Sequence, residues 1–202
     1  MDSSGLYLDI TDFAHSTPAW VQSAFEVWTK YGLFVFGALF IAVWWRARGG
    51  RDPRTVALAL LAPLATALAY VGSELVKSSV DEERPCRAVA GAAASLVKCP
   101  ATGDWSFPSN HATIAGAAAV ALALAVSRLA LLTVPLALLM AFSRVFVGVH
   151  YPHDVAMGLL LGASLAALAV LALTGPTSRI IAAMRANGGR TAVLIAGPGP
   201  AR

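Results

Sequence analysis

Long apolar runs alternate with short polar segments along this chain, at roughly residues 31–45, 55–76, 110–127, 129–149 and 155–174. A bilayer core takes about 20 residues of helix, within a range near 17–25, so the last four runs predict spanning helices on length alone. The first run is short between Lys30 and Arg46, and spans only if residues 25–31 join it, with Trp28, Trp44 and Trp45 as interfacial anchors. Residues 1–30 form a polar lead that places Leu6, Leu8, Ile10, Phe13, Trp20 and Phe25 among Asp2, Asp9, Asp12 and Glu26. That pattern suits an amphipathic helix resting at the membrane surface, interrupted at Pro18. The lead has neither the basic start nor the small-residue cleavage site of a secretory signal, and reads as retained. Residues 175–202, with Gly188, Gly189, Gly197 and Pro198, predict a flexible cytoplasmic tail. The expectation is an all-α fold: one integral membrane domain over residues 1–202, a polytopic bundle of five spanning helices plus an N-terminal interfacial helix.

Composition supports that class, with 57% hydrophobic residues, 13% charged and a mean hydropathy of +0.68, far from an ordinary soluble domain. Alternating the spans puts Arg46, Arg48, Arg51, Arg54, Arg128, Arg179, Arg185, Arg190 and Arg202 on one side, out of 15 Lys and Arg in all. Positively charged short loops stay in the cytoplasm, so residues 77–107 and 150–154 face outward together. The pI of about 9.4 does not indicate nucleic-acid binding, because these arginines have no interleaved aromatics to form a stacking face. Cys86 and Cys99 both fall in the outward loop. On an oxidising face they can close a disulfide bracing the loop that carries Arg84; two free thiols are the alternative. Without a CxxC or HxxxH pattern they make a poor zinc site.

The polar segments that meet the apolar runs carry Lys77 with Arg84-Pro85, then Pro108-Ser109-Asn110-His111, then Ser143-Arg144 with His150 and Asp154. A phosphoryl group in transfer spreads negative charge over its equatorial oxygens, and Lys77, Arg84 and Arg144 are candidates to cradle it. An intramembrane arginine is costly and marks a functional site or an interior partner, the bland alternative for Arg144 being a snorkelling or salt-bridged side chain. Lys77 alone would pass for an ordinary interfacial lysine. Ser109 is placed to cap a helix whose first N–H groups seat an anion, with His111 on the first turn. A neutral imidazole can attack phosphorus, and a carboxylate such as Asp154 selects its tautomer and supports the cation that forms. His153 reads as a surface or auxiliary residue. Asp81-Glu82-Glu83 reads as a solvated charge run rather than a magnesium site. Glu74 is expected to partner Lys77 or Arg84. No metal and no other cofactor is expected, because the protein's own cations supply the charge.

Lys77-x6-Arg84-Pro85, Pro108-Ser109-Asn110-His111 and Ser143-Arg144-x5-His150-x3-Asp154 resemble the three-part signature of the type 2 phosphatidic acid phosphatase superfamily, in order and in internal spacing. That superfamily includes membrane lipid phosphatases, undecaprenyl diphosphatases, glucose-6-phosphatases and soluble vanadium haloperoxidases. The resemblance implies that His150 is the nucleophile, that Asp154 orients it, and that His111 is general acid and then base. It assigns phosphate binding to Lys77, Arg84, Ser109, Asn110 and Arg144. The family usually has glycine where this chain has Asn110; asparagine tolerates left-handed backbone, so a tight turn can survive with a side chain beside the phosphate. The implied partners are the bilayer and a lipid phosphate or diphosphate, with no nucleic acid. The favoured substrate is a polyprenyl diphosphate such as undecaprenyl diphosphate, recycled for envelope synthesis at the outer face of a bacterial inner membrane. Phosphatidic acid, phosphatidylglycerophosphate and other prenyl-linked phosphates are the rivals. A non-catalytic lipid-phosphate-binding protein is the alternative of another class, and it would be expected to have lost His150, His111 or Asp154.

Overall fold

Helix boundaries fall where side chains serve the free backbone groups. The N–H of Arg54 donates to the Asp52 side chain at 2.9 Å, Pro53 takes the first helical position, and the helix stops at Asp81 in the left-handed region, φ 50°. At the last long helix, Pro152 again stands first, and the Asp154 carboxylate accepts from the Tyr151 N–H at 2.8 Å.

The computed structural model describes residues 3–198. Among them the helices are α1 (Ser4–Ser16), α2 (Ala19–Tyr31), α3 (Leu33–Arg48), α4 (Pro53–Val80), α5 (Pro85–Ala88), α6 (Asn110–Ala125), α7 (Ala130–Phe146), α8 (Pro152–Asn187) and α9 (Arg190–Ala196), with no strand. Asp2 and Arg202, which entered the patterns above, lie outside the described residues. The protein is an integral membrane protein. Segments Pro53–Ala88, Ser127–Phe146 and Pro152–Asn187 are long and apolar enough to span, and α2 with α3, bent by 49°, makes a fourth when taken as one span. Taken that way, residues 25–31 join the first run.

The expected span over residues 110–127 differs. α6 has 16 residues, a rise of about 24 Å against a hydrocarbon core of about 30 Å. It sits among α3, α4, α7 and α8, with Ala112, Ala115, Ala117, Ala118 and Ala121 all buried. Small side chains let the backbones come together: a Cβ on Gly158 would lie 2.6 Å from the Ser109 carbonyl, and one on Gly162 would run into the Thr113 carbonyl. Backbone contact between α6 and α8 thereby locks the second motif against the third.

Two terminal expectations change. Pro18 does divide the lead, but α1 packs inward: Tyr7 and Ala14 are fully buried, and the Tyr7 hydroxyl donates to the Gly148 carbonyl at 3.0 Å. Burial, and the neighbouring Tyr151, push the Tyr7 phenol up to about 12, so it remains a donor. Where a loose tail is expected, the helix continues through Pro176 to Asn187 and α9 folds back. Arg185 ties it down, donating to the Ala196 carbonyl at 2.6 and 2.9 Å, to Arg51 at 2.9 Å and to Gly50 at 3.1 Å. Glycine and proline content suggested a loose tail; among the described residues a single arginine instead joins α9 to the 50–51 turn by donating to three backbone carbonyls.

Candidate active site

The end of α4, the loop carrying Arg84, the start of α6, the end of α7 and the start of α8 meet at one end of the bundle. Lys77 lies in the last turn of α4, Arg144 in the last turn of α7, and Ser109 is the N-cap of α6. The Ser109 N–H donates to the Asp154 carbonyl at 3.1 Å, joining the start of α6 to the first turn of α8. α7 ends at Phe146 rather than continuing to His150, because Gly148 turns the chain at φ 82° and Tyr7 and Ser95 fill the space a side chain would need. Arg144 is thus at a helix end and His150 in the turn beyond it.

His150 is buried, its Nδ1 3.2 Å from Asp154 Oδ2 and its Nε2 3.0 Å from Arg84 Nη1. A guanidinium only donates, so Nε2 carries the lone pair and Nδ1 the hydrogen that Asp154 accepts. That is the tautomer a phosphorus-attacking Nε2 needs. Burial first, then the charges of Arg144, Arg84 and Lys77, hold the ring well below its ordinary 6.5, and it is neutral at pH 7. An unfolded chain protonates this ring below about pH 6.5 while the folded one does not, so stability falls on acidification by up to about 1.4 kcal/mol per pH unit. Melting temperature in detergent should drop from pH 7.5 to 5.5, and His150→Asn should flatten part of that slope.

Arg84 is 3% exposed and held by Asp104, its Nε donating to the carbonyl at 2.7 Å and its Nη2 to the side chain at 2.8 Å; Nη1 also donates to the Val149 carbonyl at 3.0 Å. Lys77 reaches the same Asp104 carboxylate at 3.7 Å. Burial raises the Asp104 carboxyl, but the Arg84 hydrogen bond and the charges of Arg84 and Lys77 outweigh it and hold the group below the usual carboxylate range. Arg144 Nη1 donates to the Thr29 hydroxyl at 2.8 Å, while its Nε and the Ser109 hydroxyl are buried without a partner. A cavity of about 770 Å³ opens onto His111, Arg144 and Val149, between Thr29 and Lys30 on one wall and Lys98 on the other. Lys30, Lys98, Arg144 and His111 on the cavity wall, with Arg84 and the buried His150 next to its Val149 edge, are suited to binding a phosphate and transferring it.

Several assignments move. Asp104, not Glu74, partners Lys77 and Arg84; Glu74 instead accepts from the Asn110 amide, whose oxygen accepts from Ser73 at 2.8 Å. Asn110 is the first residue of α6 and not in left-handed backbone. Its side chain ties α6 to α4. Ser106, also unforeseen, donates to Asp154 Oδ2 beside the ring of His150. Asp104, Ser106 and Thr29 belong to no periodic pattern; the sole hint was an acidic residue in a loop rich in phosphate-type cations. Within the charge run Asp81 is exposed as expected, while Glu83 pairs with Arg87 and Glu82 with His153. Cys86 and Cys99 form a disulfide, S–S 2.01 Å, across the loop that begins at Arg84.

The family model of the PAP2 superfamily matches residues 58–177, more than half of the chain and all three motifs. The chain belongs to the PAP2 superfamily. Among curated proteins, this PAP2 chain is similar to an undecaprenyl-diphosphatase of Sulfolobus acidocaldarius, 42% identical over 83 residues, 40% of either chain. It is also similar to a decaprenylphosphoryl-5-phosphoribose phosphatase of Mycobacterium tuberculosis, 37% identical over 111 residues, 54% of this chain and 58% of that one. These alignments span about half the length of the relatives. The crystal structure of Aquifex aeolicus LpxE has the same fold, with a TM-score of 0.62 at 22% identity over 82% of this chain and 93% of that one.

Proposed function

We propose that this PAP2 protein is a membrane lipid phosphatase that hydrolyses a polyprenyl diphosphate, undecaprenyl diphosphate foremost, to the monophosphate through a phosphohistidine on His150. The observation that carries the reading is the His150 ring, neutral, with Nδ1–H on Asp154 and the Nε2 lone pair against Arg84. A substrate phosphate takes over the Arg84 guanidinium and frees that lone pair. Nε2 then bonds to phosphorus as the bond to the leaving lipid phosphate breaks, with His111 protonating the leaving oxygen. Asp154 supports the positive ring. In the second step His111 removes a proton from water, which attacks the phosphohistidine, releasing inorganic phosphate and restoring neutral His150. Lys77, Arg84, Arg144 and the Ser109 hydroxyl stabilise the equatorial oxygens throughout.

The two curated relatives named above carry prenyl names, and the cavity lies at helix ends, where a headgroup can enter while its chain stays in lipid. The basic loops at the opposite end and the Cys86–Cys99 disulfide favour a site on the extracytoplasmic face of a bacterial inner membrane. The test is phosphate release by detergent-purified protein from undecaprenyl diphosphate, a prenyl-linked monophosphate and phosphatidic acid, with and without chelator. Fast chelator-resistant release from the diphosphate is the expected result. Preference for another lipid would replace the substrate, and release from none of them would remove the phosphatase reading.

A further inference from the structure

The carboxylate that partners His150 has a second oxygen in a different setting. Asp154 is fully buried and its Oδ1 accepts no hydrogen bond. His153 Nε2 lies 3.4 Å from it, but the same nitrogen lies 3.0 and 3.1 Å from the two oxygens of Glu82. One imidazole nitrogen carries at most one hydrogen, so two carboxylates face a single donor. A buried carboxylate oxygen left without a donor is costly, and a divalent cation replacing that hydrogen would serve all three groups at once.

We propose that Glu82, His153 and Asp154 Oδ1 form a zinc site, and that zinc bound there inhibits the enzyme by drawing on the carboxylate that supports His150. The three ligand atoms all lie within 4.8 Å of one another. A tetrahedral centre with bonds of about 2.0–2.1 Å spaces its ligand atoms roughly 3.3 Å apart, close to the spacings already present around His153 Nε2. An imidazole in the set selects zinc over magnesium or calcium, which take oxygen ligands. The His153 ring is held in place, stacked on Tyr151 with centroids 5.2 Å apart and planes at 15°, and flanked by Phe107 at 6.0 Å. Its Nδ1 lies 2.7 Å from the Ser3 hydroxyl. A hydroxyl donates to Nδ1 when Nε2 carries hydrogen and accepts from Nδ1–H when Nε2 binds metal, so it supports both states. A cavity of about 530 Å³ lined by Val80, Glu82, Phe107, His153 and Met157 gives access and room for water as fourth ligand; it shares no lining residue with the cavity at His111 and Arg144.

Asp154 Oδ2 would keep its bonds to His150, Ser106 and Tyr151, but with zinc on Oδ1 it becomes a weaker acceptor. It then gives less support to the charge His150 gains on phosphorylation. The zinc takes no part in bond making. The inhibitory half of the proposal rests on the role given to Asp154 above; the binding half does not.

The experiment is a zinc titration of the purified full chain in detergent, reading bound metal by equilibrium dialysis and phosphate release in parallel. One zinc per chain should bind, activity should fall along the same isotherm, and EDTA should restore it. His153→Ala and Glu82→Gln should each shift both midpoints by at least about tenfold with the metal-free rate unchanged, and Ser3→Ala by about tenfold. Cobalt in place of zinc should give the wild-type chain the visible absorption of a four-coordinate site, whether or not the variants fold. Absence of stoichiometric metal, absence of that spectrum, or unchanged midpoints in both variants would overturn the site, the last placing zinc on the catalytic histidines instead. Ligand-dependent zinc binding by a chain that releases phosphate from no lipid would uphold the site and sink the phosphatase reading.

Discussion

His150→Ala should reduce phosphate release by at least about 10⁴-fold, the scale of removing a nucleophile that acts as one unit with its partners. The fold should survive the change, because Arg84 keeps the Val149 carbonyl at 3.0 Å and Asp104 at 2.7 and 2.8 Å after losing the ring. The informative readout is the intermediate. Acid-quenched wild-type enzyme given radiolabelled substrate should not keep its label, whereas alkali-quenched enzyme should, since a phosphoramidate is labile to acid and resistant to base. His150→Ala should carry no label under either condition. His111→Ala should accumulate label when the leaving group needs no protonation, because the water-activating base of the second step is gone. An His150→Ala chain retaining a tenth of the wild-type rate would remove this residue from the chemistry.

Gly162→Ala is the strongest expected effect on the fold. The added methyl would meet the Thr113 carbonyl oxygen, with the Thr113 carbonyl carbon at 2.8 Å and the Ala117 nitrogen at 3.0 Å. These are backbone atoms of α6, which no side-chain rotation can move, so α6 and α8 must part. Overpacking of this kind costs about 2–3 kcal/mol, or roughly 5–10 °C in melting temperature. Activity should fall as well, although Gly162 touches nothing in the site, because the same helix pair positions His111 and Asp154 through the Ser109–Asp154 backbone bond. Gly175→Ala, in the same helix with open space around it, is the control and should leave both unchanged. Equal losses at the two positions would mean that close approach does not set the result, since helix propensity by itself favours alanine at both.

The site was far more legible than its surroundings. Lys77, Arg84, His111, Arg144, His150 and Asp154 stood out through the three-part signature they share, and Arg144 also because a charge within a bilayer-length apolar run is costly and calls for a reason. Asp104 and Ser106 carry no such signal: both sit in a polar loop where such residues are common. Their importance comes from a loop folding back onto Arg84 and Asp154, a long-range event that no local spacing encodes. Asn110 shows the same limit from the other side, since its place in the motif pointed to the phosphate whereas Ser73 and Glu74 on α4 hold its side chain.

Hydropathy alone pointed to a helical membrane protein, and motif spacing to the end of the bundle that holds the candidate site, because both depend on residues near one another in the chain. How α6 could be shorter than a bilayer, why α9 folds back on the bundle, and which carboxylate neutralises which cation depended on packing between distant segments. Backbone contact through Gly158 and Gly162, the carbonyls gathered by Arg185, and the pairing of Asp104 with Arg84 each join residues far apart in sequence. Such contacts form only once the helices have come together, since distance and direction between side chains exist in the folded molecule and not in the order of its residues.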